Sequence, residues 1–220
     1  MTLQNGQDRD PQVRPDQRDQ RDRRDRRDHV RQDPSDGQDP SDGQDRDQWD
    51  GRDRRDPRTA VPHTADERTT LTAMLQFQRD TLALKCAGLG PDQLRKRAVE
   101  PSGLSLLGLV RHAAEVERGW FRNVLAGEDS RSPWTPPGST DWADFDVADA
   151  DVDEAFAVWH EECARARTVV DDAASLDATG TLGQEEYSVR YVLAHMIEEY
   201  ARHNGHADLL RERLDCTTGE

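Results

Sequence analysis

The residues best suited to chemistry lie near the C-terminal end of this 220-residue chain, in Glu199-Tyr-Ala-Arg-His203-Asn-Gly-His206-Ala-Asp208. Glu199 and His203 are four residues apart, so an α-helix projects both from one face, one turn apart. His195, Glu199, His203 and His206 follow one another at steps of four, four and three. Val192, Met196, Tyr200, Ala207 and Leu210 form a neighbouring apolar face that must look into a core. Upstream, His112 stands three residues after Leu109 and beside Ala113 and Val116, which also turns it inward. His112, Glu199 and His203 would make a facial three-ligand set for a divalent metal, with open positions for water or substrate. His195 and His206 compete for those ligand places, and the alternative for His206 is an outward position or one that orients a carboxylate from outside the ligand set. A plainer reading stands beside this one. An inward histidine is most often a hydrogen-bonded core residue, and a Glu/His pair at this spacing is common on helix surfaces.

Four helices are expected to position these groups. The first runs from Asp66 to Gly88, with Leu71, Met74, Leu75, Leu82 and Leu84 on its apolar stripe. Pro91 to Leu94 reads as a short extra turn. The second runs from about Ser105 to Ala126 and stops at Gly127. The third runs from about Asp151 to Ser175. The fourth begins around Tyr187, with Ser188 as its cap, and continues to Leu214. Gly180 and Gly183 read as breaks, and no segment has a convincing strand pattern. Trp120, Phe121 and Trp159 are expected in the core. A long loop with Pro133, Trp134, Pro136, Pro137, Gly138 and Trp142 joins the second and third helices. Its tryptophans are expected to anchor it to the helices more than to wall a pocket. The fold class is all-α, a four-helix bundle.

Residues 1–62 are read as a disordered, Asp/Arg-rich, low-complexity tail, and residues 63–220 as the folded domain. The first 60 residues hold 16 Asp and 14 Arg, with no Glu or Lys. Their few apolar residues cannot offset the entropy of ordering the chain. The tail also repeats Asp-Pro-Ser-Asp-Gly-Gln in tandem from Asp33 to Gln44. It is nearly charge-balanced, so almost all of the net −15 falls on the domain. An acidic domain argues against phosphate-backbone binding, and the interleaved aspartates cancel most of the field of the tail arginines. No nucleic-acid partner is expected. Cys86, Cys163 and Cys216 form no CxxC pair and imply neither a disulfide framework nor a thiolate zinc site. No stretch has signal-peptide order or approaches ~20 apolar residues, so a cytoplasmic protein without a membrane partner is expected.

Gly108-Leu-Val-Arg-His112-Ala-Ala-Glu115-Val-Glu-Arg-Gly-Trp120-Phe121, taken with His195-Met-Ile-Glu-Glu199-Tyr-Ala-Arg-His203-Asn-Gly-His206, resembles the DinB/YfiT-like superfamily. The likeness covers about residues 66–219. It is strongest to an actinobacterial branch of DinB-like domains and to the metal-binding domain of mycothiol-dependent maleylpyruvate isomerases. The family places one histidine on the second helix and a His-x3-His pair on the last. Here Glu199 stands first in that pair, as in those isomerases. The resemblance implies His112, Glu199 and His203 as metal ligands, an up-down-down-up bundle, zinc or nickel as the metal, and often a homodimer. It further implies a low-molecular-weight thiol such as mycothiol as co-substrate, activated for transfer to an electrophile. The isomerases' second domain has no counterpart here, which argues against isomerase activity. Arg202, beside His203, is the candidate for holding an anionic substrate group. Two other functions compete: a metal-binding stress or detoxification protein without turnover, and a structural helical dimerisation module.

Overall fold

The computed structural model describes residues 56–136 and 143–218. The chain there is mostly helical, with α1 at Glu67–Cys86, α2 at Pro91–Arg95, α3 at Leu106–Glu117, α4 at Val152–Asp172 and α5 at Val189–Asp215. A π-helical stretch, Arg118–Leu125, continues α3 directly. A two-stranded antiparallel hairpin, β1 at Thr179–Leu182 and β2 at Glu185–Ser188, leads into α5. Local chemistry sets the helix starts. Asp66, Ser105, Asp151 and Ser188 each accept a backbone N–H from the first turn of the helix they precede. Pro91 opens α2 at the position where its missing N–H costs nothing.

Two expectations about the elements need correction. Residues 105–126 are not one uniform α-helix, because the hydrogen bonding widens after Glu117: Ala126 N donates to Phe121 O at 3.0 Å, five residues back. Residues 179–188 are a hairpin, not a broken connector, and the last helix starts after Tyr187, which belongs to β2. The strands are four residues each and mostly exposed, too short to show a burial alternation in the sequence. Gly183 takes a positive φ of 64° in the turn. Gly180 has a different reason to be glycine. A Cβ there would lie 2.0 Å from Val124 O and 2.6 Å from Leu125 Cα. Gly180→Ala is therefore expected to destabilise the protein by about 3 kcal/mol or more, read as a lowered urea midpoint at unchanged slope.

α1 lies along α5, α3 lies along α4, and α3 also meets α5. Their shared core includes Leu75, Leu82, Leu109, Phe121, Trp159 and Met196, all nearly fully buried. Trp120 departs from expectation and sits only partly buried at the core's margin. It is adjacent to Phe121, so helical geometry points the two rings in different directions, and Phe121 holds the inward one. Trp134 does anchor the long loop: its Nε1 donates to Arg111 O at 3.0 Å, and the Arg111 guanidinium stands 4.6 Å over its ring. Trp142, Pro137 and Gly138 lie outside the described residues, as does the expected tail up to residue 55. Residues 56–60 run beside α1. Thr59 N donates to Asp80 there, and Arg58 stands 4.6 Å over the Phe77 ring. Among the described residues, no helix is long and apolar enough to cross a membrane.

Candidate metal centre

The rotation of two helices creates the site. Leu106, Leu107, Leu109, Val110 and Ala113 hold one face of α3 in the core, which leaves His112 and Val116 on the side toward α5. Val192, Met196, Tyr200 and Ala207 do the same for α5 and bring Glu199 and His203 to the facing edge. Glu199 Oε1 lies 3.2 Å from His112 Nε2 and 3.1 Å from His203 Nε2. One ligand atom from each residue falls within a 4.8 Å group, a constellation that could hold a metal ion. The three side chains are only 14–18% exposed. With Leu82, Leu109, Ala113 and Val116 they line a small hollow of about 10 Å³, room for one water or ion.

Both imidazoles are oriented from behind. Asp144 Oδ2 lies 2.7 Å from His112 Nδ1, and Asp144 itself is 2% exposed. A carboxylate accepts, so Nδ1 carries the proton and Nε2 is the atom turned into the site. His206 Nδ1 lies 3.4 Å from His203 Nδ1 and can hold that ring in the same way. Phe145, next to Asp144, stacks on the His112 ring with centroids 5.2 Å apart. It fits because residue 108 is glycine; a Cβ there would stand 2.9 Å from Phe145 Cδ1.

The electrostatics are those of two imidazoles held against one shared carboxylate oxygen. Burial opposes charge on His112, but the Asp144 and Glu199 carboxylates outweigh it and hold its pKa above the ordinary value. Burial, reinforced by the neighbouring His112, pushes the His203 pKa down. Burial would raise the Glu199 pKa, yet the two imidazoles overcome it and leave the carboxyl below its ordinary range. Two Nε2 atoms and a carboxylate oxygen point at one another, and either shared protons or a cation must reconcile them. One carboxylate and two neutral imidazoles suit a divalent ion well, since such a donor set leaves it a net positive charge.

Of the residues singled out in the sequence, His112, Glu199 and His203 come together. His195 does not join them: its ring packs on Trp120, with centroids 4.7 Å apart. His206 sits behind His203 rather than beside a carboxylate. The Arg202 guanidinium is engaged by Glu198 and by Glu199 Oε2, the latter at 3.1 Å, leaving Oε1 to the histidines. Cys86 and Cys163 are buried and are not part of the His112/Glu199/His203 group, and burial pushes the Cys86 thiol up to about 12. Asp144 is the site residue that sequence reasoning missed. It lies on the long loop, where the only signal was the loop's length.

A mostly helical protein with a His/Glu/His group between two long helices has the features of the DinB-like class. Within it, the chain belongs to the mycothiol-S-transferase family, whose sequence profile matches residues 70–216. The comparison with curated proteins gave no match.

Proposed function

We propose that the protein is a metal-dependent S-transferase that joins mycothiol, or a closely related small thiol, to an electrophile. The observation that carries this reading is the convergence of His112 Nε2, His203 Nε2 and Glu199 Oε1 on one point in a chain of the mycothiol-S-transferase family. These three residues would hold zinc or nickel. A divalent ion bound there would supply a positive charge that lowers the pKa of a coordinating thiol and favours its thiolate. Asp144 and His206 keep the two Nε2 atoms aimed inward. The aliphatic wall of Leu82, Leu109, Ala113 and Val116 excludes water from one side. The N–H groups of Arg202 not engaged by Glu198 and Glu199 are the candidate contact for an anionic group of the substrate. In this reading the long helices form the up-down-down-up bundle of the superfamily, with α2 and the hairpin as additions, and the protein works in the cytoplasm, as a homodimer in the manner of many relatives.

The test is consumption of mycothiol with monobromobimane by zinc- or nickel-loaded protein. Acceleration over the uncatalysed reaction, lost on treatment with chelator, is the expected result. Bound metal with no acceleration across several electrophiles would leave a non-catalytic metal-binding protein. An unchanged melting temperature on chelation of the purified protein would count against a resident metal, because a ligand that binds only the folded state must raise it. Asp144→Ala is expected to lower metal affinity about 10- to 100-fold while the far-ultraviolet circular dichroism stays unchanged. Wild-type affinity in that variant would mean that the loop carboxylate plays no part in orienting His112.

A further inference from the structure

A row of aromatic rings leads away from this site along α5 and the π-helical stretch. His195 lies one helical turn before Glu199, and Tyr191 one turn before that. Their rings are within 7° of parallel with centroids 6.0 Å apart. Trp120 closes one side, 4.7 Å from His195 and 6.2 Å from Tyr191. Tyr187, delivered by β2, stands 5.3 Å from both Trp120 and Tyr191. The row is not core: Tyr191 is 50% exposed and Trp120, Tyr187 and His195 are only partly covered. It begins one helical turn from the His112/Glu199/His203 group. Val116, which lines the hollow, lies one turn before Trp120 on the same side of the chain.

Dimensions and chemistry indicate an occupant. A helix rises about 1.5 Å per residue, so His195 and Tyr191 lie roughly 6 and 12 Å along α5 from Glu199. Aromatic rings offer flat, polarisable faces that favour another ring in offset or edge contact. A molecule with its reacting atom at the His112/Glu199/His203 group and a ring a few bonds away would lay that ring on Tyr191 and His195, against Trp120. We infer that Trp120, Tyr187, Tyr191 and His195 form the specificity subsite for an aromatic electrophile, holding its ring while its reactive carbon meets the thiol. The inference rests on the thiol-transfer reading for the orientation of the substrate. The side chains make no bond to the substrate; they act by ring contact alone.

The test uses stable product analogues, the S-benzyl and S-methyl thioethers of mycothiol, titrated calorimetrically into metal-loaded protein. Wild type is expected to bind the benzyl compound roughly tenfold more tightly than the methyl one. Tyr191→Ala, at a half-exposed position with little cost to folding, should remove most of that preference and leave methyl binding unchanged. Trp120→Leu, which keeps an apolar body at the core margin, should do the same. Equal loss for both compounds would place the row under the thiol portion they share and overturn the assignment. So would no loss in either variant, or a Tyr191→Ala protein that turns from dimer to monomer with benzyl preference intact, which would give the face to a second copy of the chain. If neither compound binds wild type, the thiol reading itself fails, and the subsite with it. Wild-type binding of both without preference defeats the subsite alone.

Discussion

Glu199→Ala is expected to yield a folded protein that purifies nearly free of metal, where the wild type is expected to carry about one ion per chain. The same Oε1 approaches both imidazoles, so removing it takes away the one carboxylate of the proposed ligand set and the atom that joins the two halves of the site. Affinity should fall by at least 100-fold, more than for loss of a group that only orients a ligand. Elemental analysis of untagged protein, with equilibrium competition against a chelator, reads this out. Undiminished metal in the variant would show that the ion sits elsewhere. The pH dependence follows from the same contacts. With its pKa held above the ordinary value, His112 keeps a proton at a higher pH than a free histidine does. The metal must displace that proton, so affinity should fall as pH decreases from neutral. Adding zinc to the metal-free protein in weak buffer should release protons, more at pH 6.5 than at pH 8. In the absence of metal the sign reverses: the charged His112 contributes stability at low pH that is lost as pH rises through its raised pKa.

Glu117→Ala is expected to cost about 3–5 kcal/mol of folding stability, measured by urea denaturation. Glu117 is fully buried at the end of α3. Arg79, 5% exposed, grips it with two bonds of 2.7 Å. Burial works against the arginine's charge, but the Glu117 carboxylate outweighs it and keeps the guanidinium protonated. Tyr200 OH donates to Glu117 Oε1 at 2.8 Å and accepts from Trp159 Nε1 at 2.8 Å. Alanine would strand a buried cation and a buried hydroxyl together. A loss under 1 kcal/mol would mean that water enters to replace the carboxylate. The double variant Arg79→Met with Glu117→Leu, which removes both charges, should recover much of the loss. Tyr200 directly follows Glu199 in the sequence, so this network also steadies the segment of α5 that presents Glu199.

The convergence of His112, Glu199 and His203 was legible because helical periodicity reports which way a side chain faces. Leu109, His112, Ala113 and Val116 share one face of α3, and the spacing of Glu199 and His203 puts both on one face of α5. Periodicity misled at His195. Four residues make 400°, so each step of four turns the direction by about 40°, and two steps separate His195 from His203. That drift carries His195 toward Trp120. Asp144 was illegible for another reason. It reaches His112 from a loop 32 residues away, and loop residues carry no period from which a direction can be read. Glu117 was hidden by its type: a glutamate on a helix reads as solvated, and its partner Arg79 lies 38 residues upstream. The hairpin escaped because its strands are short and its glycines serve a turn and a close backbone contact.

The π-helical stretch bears on tolerance to changes in chain length. Up to Glu117 the helix must keep His112 and Val116 toward α5. Beyond it, Phe121 and Val124 must stay in the core, with Val124 O against Gly180. Removing a residue from an ordinary helix turns everything downstream by about 100° relative to everything upstream. Hydrogen bonds that reach back five residues hold more chain per turn than those that reach back four. Residues 118–125 therefore contain surplus length. A one-residue deletion there can be absorbed by tightening to α-helical bonding, whereas the same deletion between Leu106 and Arg111 would turn His112 relative to the start of α3 by about 100°.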